Sequence, residues 1–216
     1  MTAADPNGKT SLQSKKQEVV RHEIRNAAID LFHATGFDDV TIDQIATRAG
    51  ISRRTFFRYF ASKEDVLASG VREYGAALAE VIAHAPSRLR PLHVARLAIL
   101  QVLEPHLPAT ERVIRIAKQS ASARSAHLHQ TPIVEQELTR AFAARMRREA
   151  RPRLDDRILA NLTLFATSLS VEAWVDQHHR PFAEIVEEVF TRFSAVCLPA
   201  APAPPPKPKP TPRASR

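Results

Sequence analysis

Cysteine is almost absent from this chain. Cys197 is alone in the 216 residues, so no internal disulfide framework exists. Glycine is scarce as well, with 5 in total. No Gly-rich phosphate loop, nucleophile elbow or metalloprotease helix can be traced, which argues against an enzyme and against a bound cofactor. His127, His129, His178 and His179 have no carboxylate at a spacing that would complete a metal site, so no metal is expected. No apolar run approaches the ~18–20 residues of a bilayer-spanning helix. The stretch 1–14 is polar and has no apolar segment of the kind a secretory signal needs. A cytoplasmic protein with no membrane partner is the expectation. Strand-type alternation is also missing, and the apolar residues recur at helical spacing instead.

The remainder is ordinary in bulk and uneven in detail. Hydrophobic residues make up 44% and charged residues 25%, as in a globular protein. The net charge of +8 suggests a polyanionic partner. That excess does not sit in the first 65 residues, where Glu18, Glu23, Asp30, Asp38, Asp39, Asp43, Glu64 and Asp65 offset the cations. It lies in 88–124, in 140–157 and in the tail. The local cluster Arg53, Arg54, Arg58 and Lys63 therefore says more about nucleic acid than the bulk charge does.

Residues 41–60 are the most specific stretch. Thr41 can cap a short helix, with Gln44 three residues on to close a capping box. Ile42, Ile45 and Ala46 form one apolar stripe. Gly50 supplies the backbone freedom a helix end needs, and Ser52 caps a second short helix. That helix carries Arg53, Arg54, Thr55, Arg58 and Tyr59 among Phe56, Phe57 and Phe60, which are expected to be core. A short helix with an apolar back and an arginine-rich front, set on a scaffold helix, is a helix-turn-helix reader of the major groove.

From Arg21 to Leu67 the chain resembles the DNA-binding domain of TetR-family transcriptional regulators. The resemblance is carried by Ala27-Ala28-x-x-Leu31-Phe32, Gly36-Phe37, Val40-Thr41-x-x-x-Ile45-Ala46, Ala49-Gly50-Ile51-Ser52, Thr55-Phe56-Phe57-x-Tyr59-Phe60 and Ser62-Lys63-Glu64-Asp65-x-Leu67. It implies an all-α fold: an N-terminal three-helix helix-turn-helix domain and a C-terminal helical domain that binds an effector and dimerises through its last two helices. It also implies phosphate contacts at Thr41, Tyr59 and Lys63.

The organisation expected is a disordered arm over 1–16, the helix-turn-helix domain over 17–62 and a connecting helix over 63–85. Pro86-Ser87 then punctuates. An effector and dimerisation domain follows over 88–198, and a Pro-rich disordered tail over 199–216. Lys15, Lys16 and Arg21 could reach phosphates from the arm. Within the second domain the polar stretch 120–130 is expected to break or loosen a helix. The segments 155–178 and 181–196 carry more apolar surface than one small domain can cover, which points to burial against a second copy in a four-helix bundle.

DNA contacts are assigned to Thr41, Ser52, Arg53, Arg54, Thr55, Arg58, Tyr59 and Lys63. Arg53 and Arg54 are placed on bases, and Thr41, Thr55, Tyr59 and Lys63 on phosphates. The effector cavity that the resemblance implies could be lined by Leu100, Leu103, Val113, Ile116, Phe142, Met146, Phe165, Leu169 and Trp174. A hydrophobic ligand fits such a lining. Arg145 and Arg148 are placed at its mouth, where they would suit a long-chain acyl-CoA. The expected function is a ligand-responsive, dimeric, operator-binding regulator acting as a repressor. The alternative is a sequence-independent architectural DNA binder using its basic tail.

Overall fold

The computed structural model describes residues 7–147, 152–177 and 180–197, and every regular element within them is a helix. These are α1 (Asn7–Thr35), α2 (Ile42–Arg48), α3 (Arg53–Tyr59), α4 (Lys63–His84), α5 (Pro91–Leu103), α6 (Leu107–Gln119), α7 (Ala121–Leu128), α8 (Thr131–Arg145), α9 (Leu154–Asp176) and α10 (Phe182–Cys197), with a single 3-10 turn at Glu104–His106 before α6. The all-α expectation holds.

The helix-turn-helix forms through local chemistry. The Thr41 N–H donates to Gln44 Oε1 at 2.8 Å and the Gln44 N–H to Thr41 Oγ1 at 3.3 Å, closing the capping box. At the other end of α2 the Ile51 N–H reaches the Ala46 carbonyl at 2.9 Å and the Gly50 N–H the Thr47 carbonyl at 3.1 Å. This is a Schellman closure, and it needs the left-handed backbone that Gly50 supplies at φ +66°. Ser52 Oγ accepts the Thr55 N–H at 3.1 Å and starts α3. Ser62 Oγ accepts the Asp65 N–H at 3.2 Å and starts α4.

Two cores result. Ile24, Ala28, Phe32, Phe37, Val40, Ile45, Phe56, Phe60, Val66 and Leu67 bury the centre of the N-terminal domain. Leu78, Ile82, Val94, Ile99, Leu103, Leu138, Phe142, Val171, Val175 and Val186 lie in the second, spread over α4, α5, α8, α9 and α10. The two are not cleanly partitioned by Pro86. Ile116 of α6 and Ala123 of α7 belong to the first core, so the middle of the C-terminal half is packed onto the DNA-binding half. The longest mutual packing is between α4 and α8. Gly75 permits it, because a Cβ there would stand 2.7 Å from the Val134 methyls.

Several expectations change. Helix α1 begins at Asn7, not near Glu18, because no proline interrupts the Lys- and Gln-rich turns ahead of it. The expected disordered arm is thus helical from residue 7, and its first six residues lie outside the described set. The polar stretch after Ser120 breaks α6 as expected. It then forms a helix of its own, because Ser120 Oγ caps it through the Ala123 N–H at 3.1 Å. Phe57 is not core: it is 46% exposed, while Phe56 and Phe60 are buried. Neighbours on a helix point about 100° apart, so Phe56 and Phe57 cannot both face inward.

Helix α9 is long and apolar enough, by length and composition, to cross a bilayer. Scanning for uninterrupted apolar runs misses it because Asn161, Thr163, Thr167 and Ser168 break the run without adding charge. Here it packs on α8, α10 and α5, and buries Ala160, Thr163, Ala166, Ser170, Val171 and Val175. The Pro-rich segment 199–216 lies outside the described residues.

Candidate nucleic-acid interface and its coupling to the C-terminal domain

Helix α3 turns Phe56 and Phe60 inward and leaves Arg53, Arg54, Phe57 and Arg58 on its outer face. Thr41 and Ser52 are exposed beside them at the starts of α2 and α3, with Thr55 and Tyr59 half-buried at the edge. Seven of the eight predicted contact residues are therefore exposed or half-buried on α3 or at the starts of α2 and α3. Their local partners differ. Arg53 Nη1 donates to Asp43 Oδ2 at 2.7 Å, and its guanidinium lies 5.5 Å from the Phe57 ring centroid. Arg58 lies over the Tyr59 ring at 5.1 Å. The Thr55 and Ser52 hydroxyls bond each other at 2.9 Å. Arg54 is exposed and has no intramolecular polar partner among the described residues.

Lys63 departs from its expected role. Its ammonium donates to the carbonyls of Phe37 (2.8 Å), Asp38 (2.9 Å) and Val40 (3.1 Å) and lies over the Phe37 ring. All three ammonium protons are thereby engaged in closing the α1–α2 connection, whose carbonyls no helix satisfies. Lys63 holds the strand of chain that presents Thr41, and is not a free phosphate donor.

Arg21 is similarly inward-looking. Its Nη1 donates to the Tyr59 carbonyl at 3.2 Å and its guanidinium stacks 4.6 Å from the Phe60 ring centroid, which puts a cation on the negative end of α3. Asp43, the exposure of Phe57 and this role of Arg21 are not read from the sequence. The period of α2, which sends Ile45 and Ala46 inward, could have placed Asp43 outside.

The junction with the C-terminal domain is polar and paired. Arg112 of α6 donates to Asp30 of α1 at 2.6 Å, and the Ser120 hydroxyl donates to Asp38 at 3.1 Å. Arg72 of α4 bridges Asp65 at 2.8 Å and Gln130 at 3.1 Å. Burial pushes the Asp65 carboxyl up, but the hydrogen bonds from Arg72 and the Ala61 N–H, with the charges of Arg72 and Arg21, hold it below the ordinary carboxylate value. Asp65 stays ionised and the start of α4 stays fixed.

The nine predicted pocket residues do not gather round one space. Leu103 and Phe142 are buried in the second core, with Leu100 and Trp174 packed against it. Val113 and Ile116 belong to the first core. Met146, Phe165 and Leu169 are exposed. The reason is orientation: helical spacing identifies apolar positions but not which neighbour each one meets. Arg145 does not flank a pocket mouth. Its side chain is buried and donates to the carbonyls of Pro86 (2.9 Å), Ser87 (3.3 Å) and Leu89, closing the α4–α5 connection. Arg148 lies outside the described residues. His127 is half-buried, and burial pushes its pKa down; His178 and His179 are outside the described set.

An open apolar groove of about 450 Å³ runs along the outer side of α9, lined by Leu154, Ile158, Leu162 and Phe165 and by Phe193 of α10. Leu154, Ile158, Phe165 and Leu169 recur there at helical spacing and are all exposed.

The sequence model for bacterial regulatory proteins of the tetR family matches residues 24–69, the region that carries α2, α3 and their scaffold. A Mycobacterium tuberculosis protein named for transcriptional regulation of mycofactocin biosynthesis, MftR, is 38% identical over 86 residues, covering 40% of this chain and 43% of that protein. The HTH-type transcriptional regulator TcmR of Streptomyces glaucescens is 28% identical over 153 residues, covering 67% of each. Among solved structures, a TetR-family regulator from Syntrophomonas wolfei shares the fold, with a TM-score of 0.66 over 87% of this chain and 99% of that one at 18% identity. The TetR-family repressor FadR of Thermus thermophilus, solved with lauroyl-CoA, is 25% identical with a TM-score of 0.52 over 85% of this chain and 98% of that one. With its capped helix-turn-helix, its all-helical second domain and these likenesses, the chain carries a tetR-family DNA-binding region at residues 24–69 and shares the fold of TetR-family transcriptional regulators.

Proposed function

We propose that this protein is a cytoplasmic, ligand-responsive repressor that binds a pseudo-palindromic operator as a homodimer. The observation that carries the reading is the outer face of α3, where Arg53, Arg54 and Arg58 stand on a helix whose back is locked by Phe56 and Phe60. Rigid presentation of arginines suits base reading, since a bidentate pair with guanine needs a fixed fork. A tail-driven architectural binder would need no such face. The apolar stripe of α9 and its groove supply a surface for the second copy, which would set two α3 helices on successive major grooves, roughly 34–36 Å apart.

Arg54→Ala tests the reader, because Arg54 has no internal partner whose loss could confuse the result. It is expected to cost about 1–3 kcal/mol on the selected operator and to relax preference at one base position. An equal loss on every duplex would assign Arg54 to phosphate and leave base reading without support.

The effector we assign is a hydrophobic small molecule, with long-chain acyl-CoA as the first candidate. The apolar interior around Leu100, Leu103, Phe142 and Trp174 and the likeness to a repressor solved with lauroyl-CoA support that choice. The Arg112–Asp30 and Ser120–Asp38 contacts offer the path by which movement of α6 and α7 would reach α1 and the α1–α2 connection. Coupling requires different affinities for two conformers and is reciprocal. Lauroyl-CoA should weaken operator binding, and operator should weaken lauroyl-CoA binding by the same factor in paired titrations. Tight binding with unaltered operator affinity would remove the regulatory role.

A further inference from the structure

Asp43 places a carboxylate on the surface that meets DNA. It stands on α2, exposed, beside the start of α3. Such a charge opposes the phosphate backbone, so it weakens binding to every duplex unless it does something in return. Its one side-chain partner among the described residues is Arg53, at 2.7 Å between Oδ2 and Nη1. Both side chains are more than half exposed, 65% for Asp43 and 58% for Arg53. A solvated pair of this kind adds little to folding. Its effect lies in orientation.

The Arg53 guanidinium contacts both the carboxylate and the Phe57 ring, 5.5 Å from its centroid. Together these contacts bias the orientation of a flexible side chain. Only one of its five N–H groups is engaged, which leaves donors for the O6 and N7 acceptors of a guanine. Arg54, next along the helix, has no such brace.

We propose that Asp43 is a specificity-determining residue: it aims Arg53 at a guanine and penalises DNA that lacks one there. The proposal rests on the reading of α3 as the DNA reader. On a cognate site the guanine completes the ring of partners around Arg53, and the carboxylate charge is balanced. On other sequences Arg53 finds no bidentate acceptor pair, and the Asp43 charge faces the phosphates with nothing gained. The device is repulsive as well as attractive, which is how discrimination exceeds what contacts to the right site alone supply.

The test uses the full chain with Asp43→Ala and Asp43→Asn, each against the duplex that wild type selects from a random pool and against a scrambled duplex, over a range of salt. Affinity for the scrambled duplex should rise several-fold, and the ratio between the two duplexes should fall by about tenfold or more. Base preference should flatten at a single position, the same one that Arg53→Ala flattens, and Asp43→Ala should change nothing further there in an Arg53→Ala background. Asp43 also sits in the first turn of α2, where an acidic side chain suits the helix dipole. Loss of that role alone would lower thermal stability and weaken all sequences alike, leaving base preference intact, and would overturn the proposal. An unchanged ratio with unchanged preference would overturn it too. If wild type itself selects no sequence, the reader assignment fails first, and the pool separates that outcome from the other two.

Discussion

Phe165→Asp is expected to convert the protein from dimer to monomer at micromolar concentration and to lower operator affinity by more than about 100-fold, because linked half-sites lose their effective concentration. Phe165 is 58% exposed in the middle of the α9 stripe, between Ile158 and Leu169, and lines the groove shared with Phe193. Burying a large apolar side chain stabilises by about 1.5–3 kcal/mol, and a two-fold interface counts each one twice. An aspartate in its place puts two unpaired carboxylates into the same apolar seam, each at a cost of several kcal/mol. The fold itself should survive, since the side chain contributes little to the protomer core. Sedimentation and circular dichroism separate the two effects: a monomer with unchanged helicity is the expected pair of results. A dimer that persists would move the interface elsewhere. Phe190, which the apolar spacing of α10 places on the same footing, would be a poor choice for this experiment. It is buried in the protomer core, so an aspartate there would unfold the chain and say nothing about assembly.

Arg145→Leu is expected to destabilise the protein by about 2–4 kcal/mol, a fall of roughly 4–16 °C in melting temperature for a chain of this size. The Arg145 side chain is only 7% exposed and ties Pro86, Ser87 and Leu89 to the end of α8 through their carbonyls. Leucine preserves much of the apolar stem but leaves those carbonyls without their donor and the α4–α5 connection without its clasp. Acyl-CoA affinity should change no more than stability explains. A stable Arg145→Leu protein that has lost acyl-CoA binding selectively would return this arginine to the mouth of an effector site.

The contrast between these residues shows which parts of the molecule are legible in sequence. The capping box of Thr41 and Gln44, the cap at Ser52 and the turn at Gly50 can all be read because each is closed by partners no more than five residues away. Local chemistry of that kind needs no tertiary information. Lys63 reads as a phosphate contact and Arg145 as the rim of a pocket, because their actual partners are carbonyls 23–26 and 56–59 residues distant. Nothing in a charge pattern marks a carbonyl as lacking a donor. Ile116 reads as part of the effector domain by position along the chain, yet it completes the core of the DNA-binding half, because α6 packs against α1. Phe57 shows the limit within one element. A pair of adjacent aromatics announces a core, while the helix period allows only one of them to enter it.

With Lys63 and Arg21 engaged in holding α3 and the α1–α2 connection, the residues of α3 left exposed are Arg53 with its Asp43 partner, Arg54, Phe57 and Arg58, with Thr41 and Ser52 beside them. On the function proposed, sequence preference would come from the arginines of that set and affinity from the polar groups around them.

Selection of bound duplexes from a random pool by the wild-type protein tests this most directly. The predicted result is an inverted repeat with a guanine in each half-site, its centres about one helical turn or a small multiple apart, which Arg54→Ala relaxes at one position per half-site. Recovery of no enriched sequence, with affinity set by salt and duplex length alone, would contradict it.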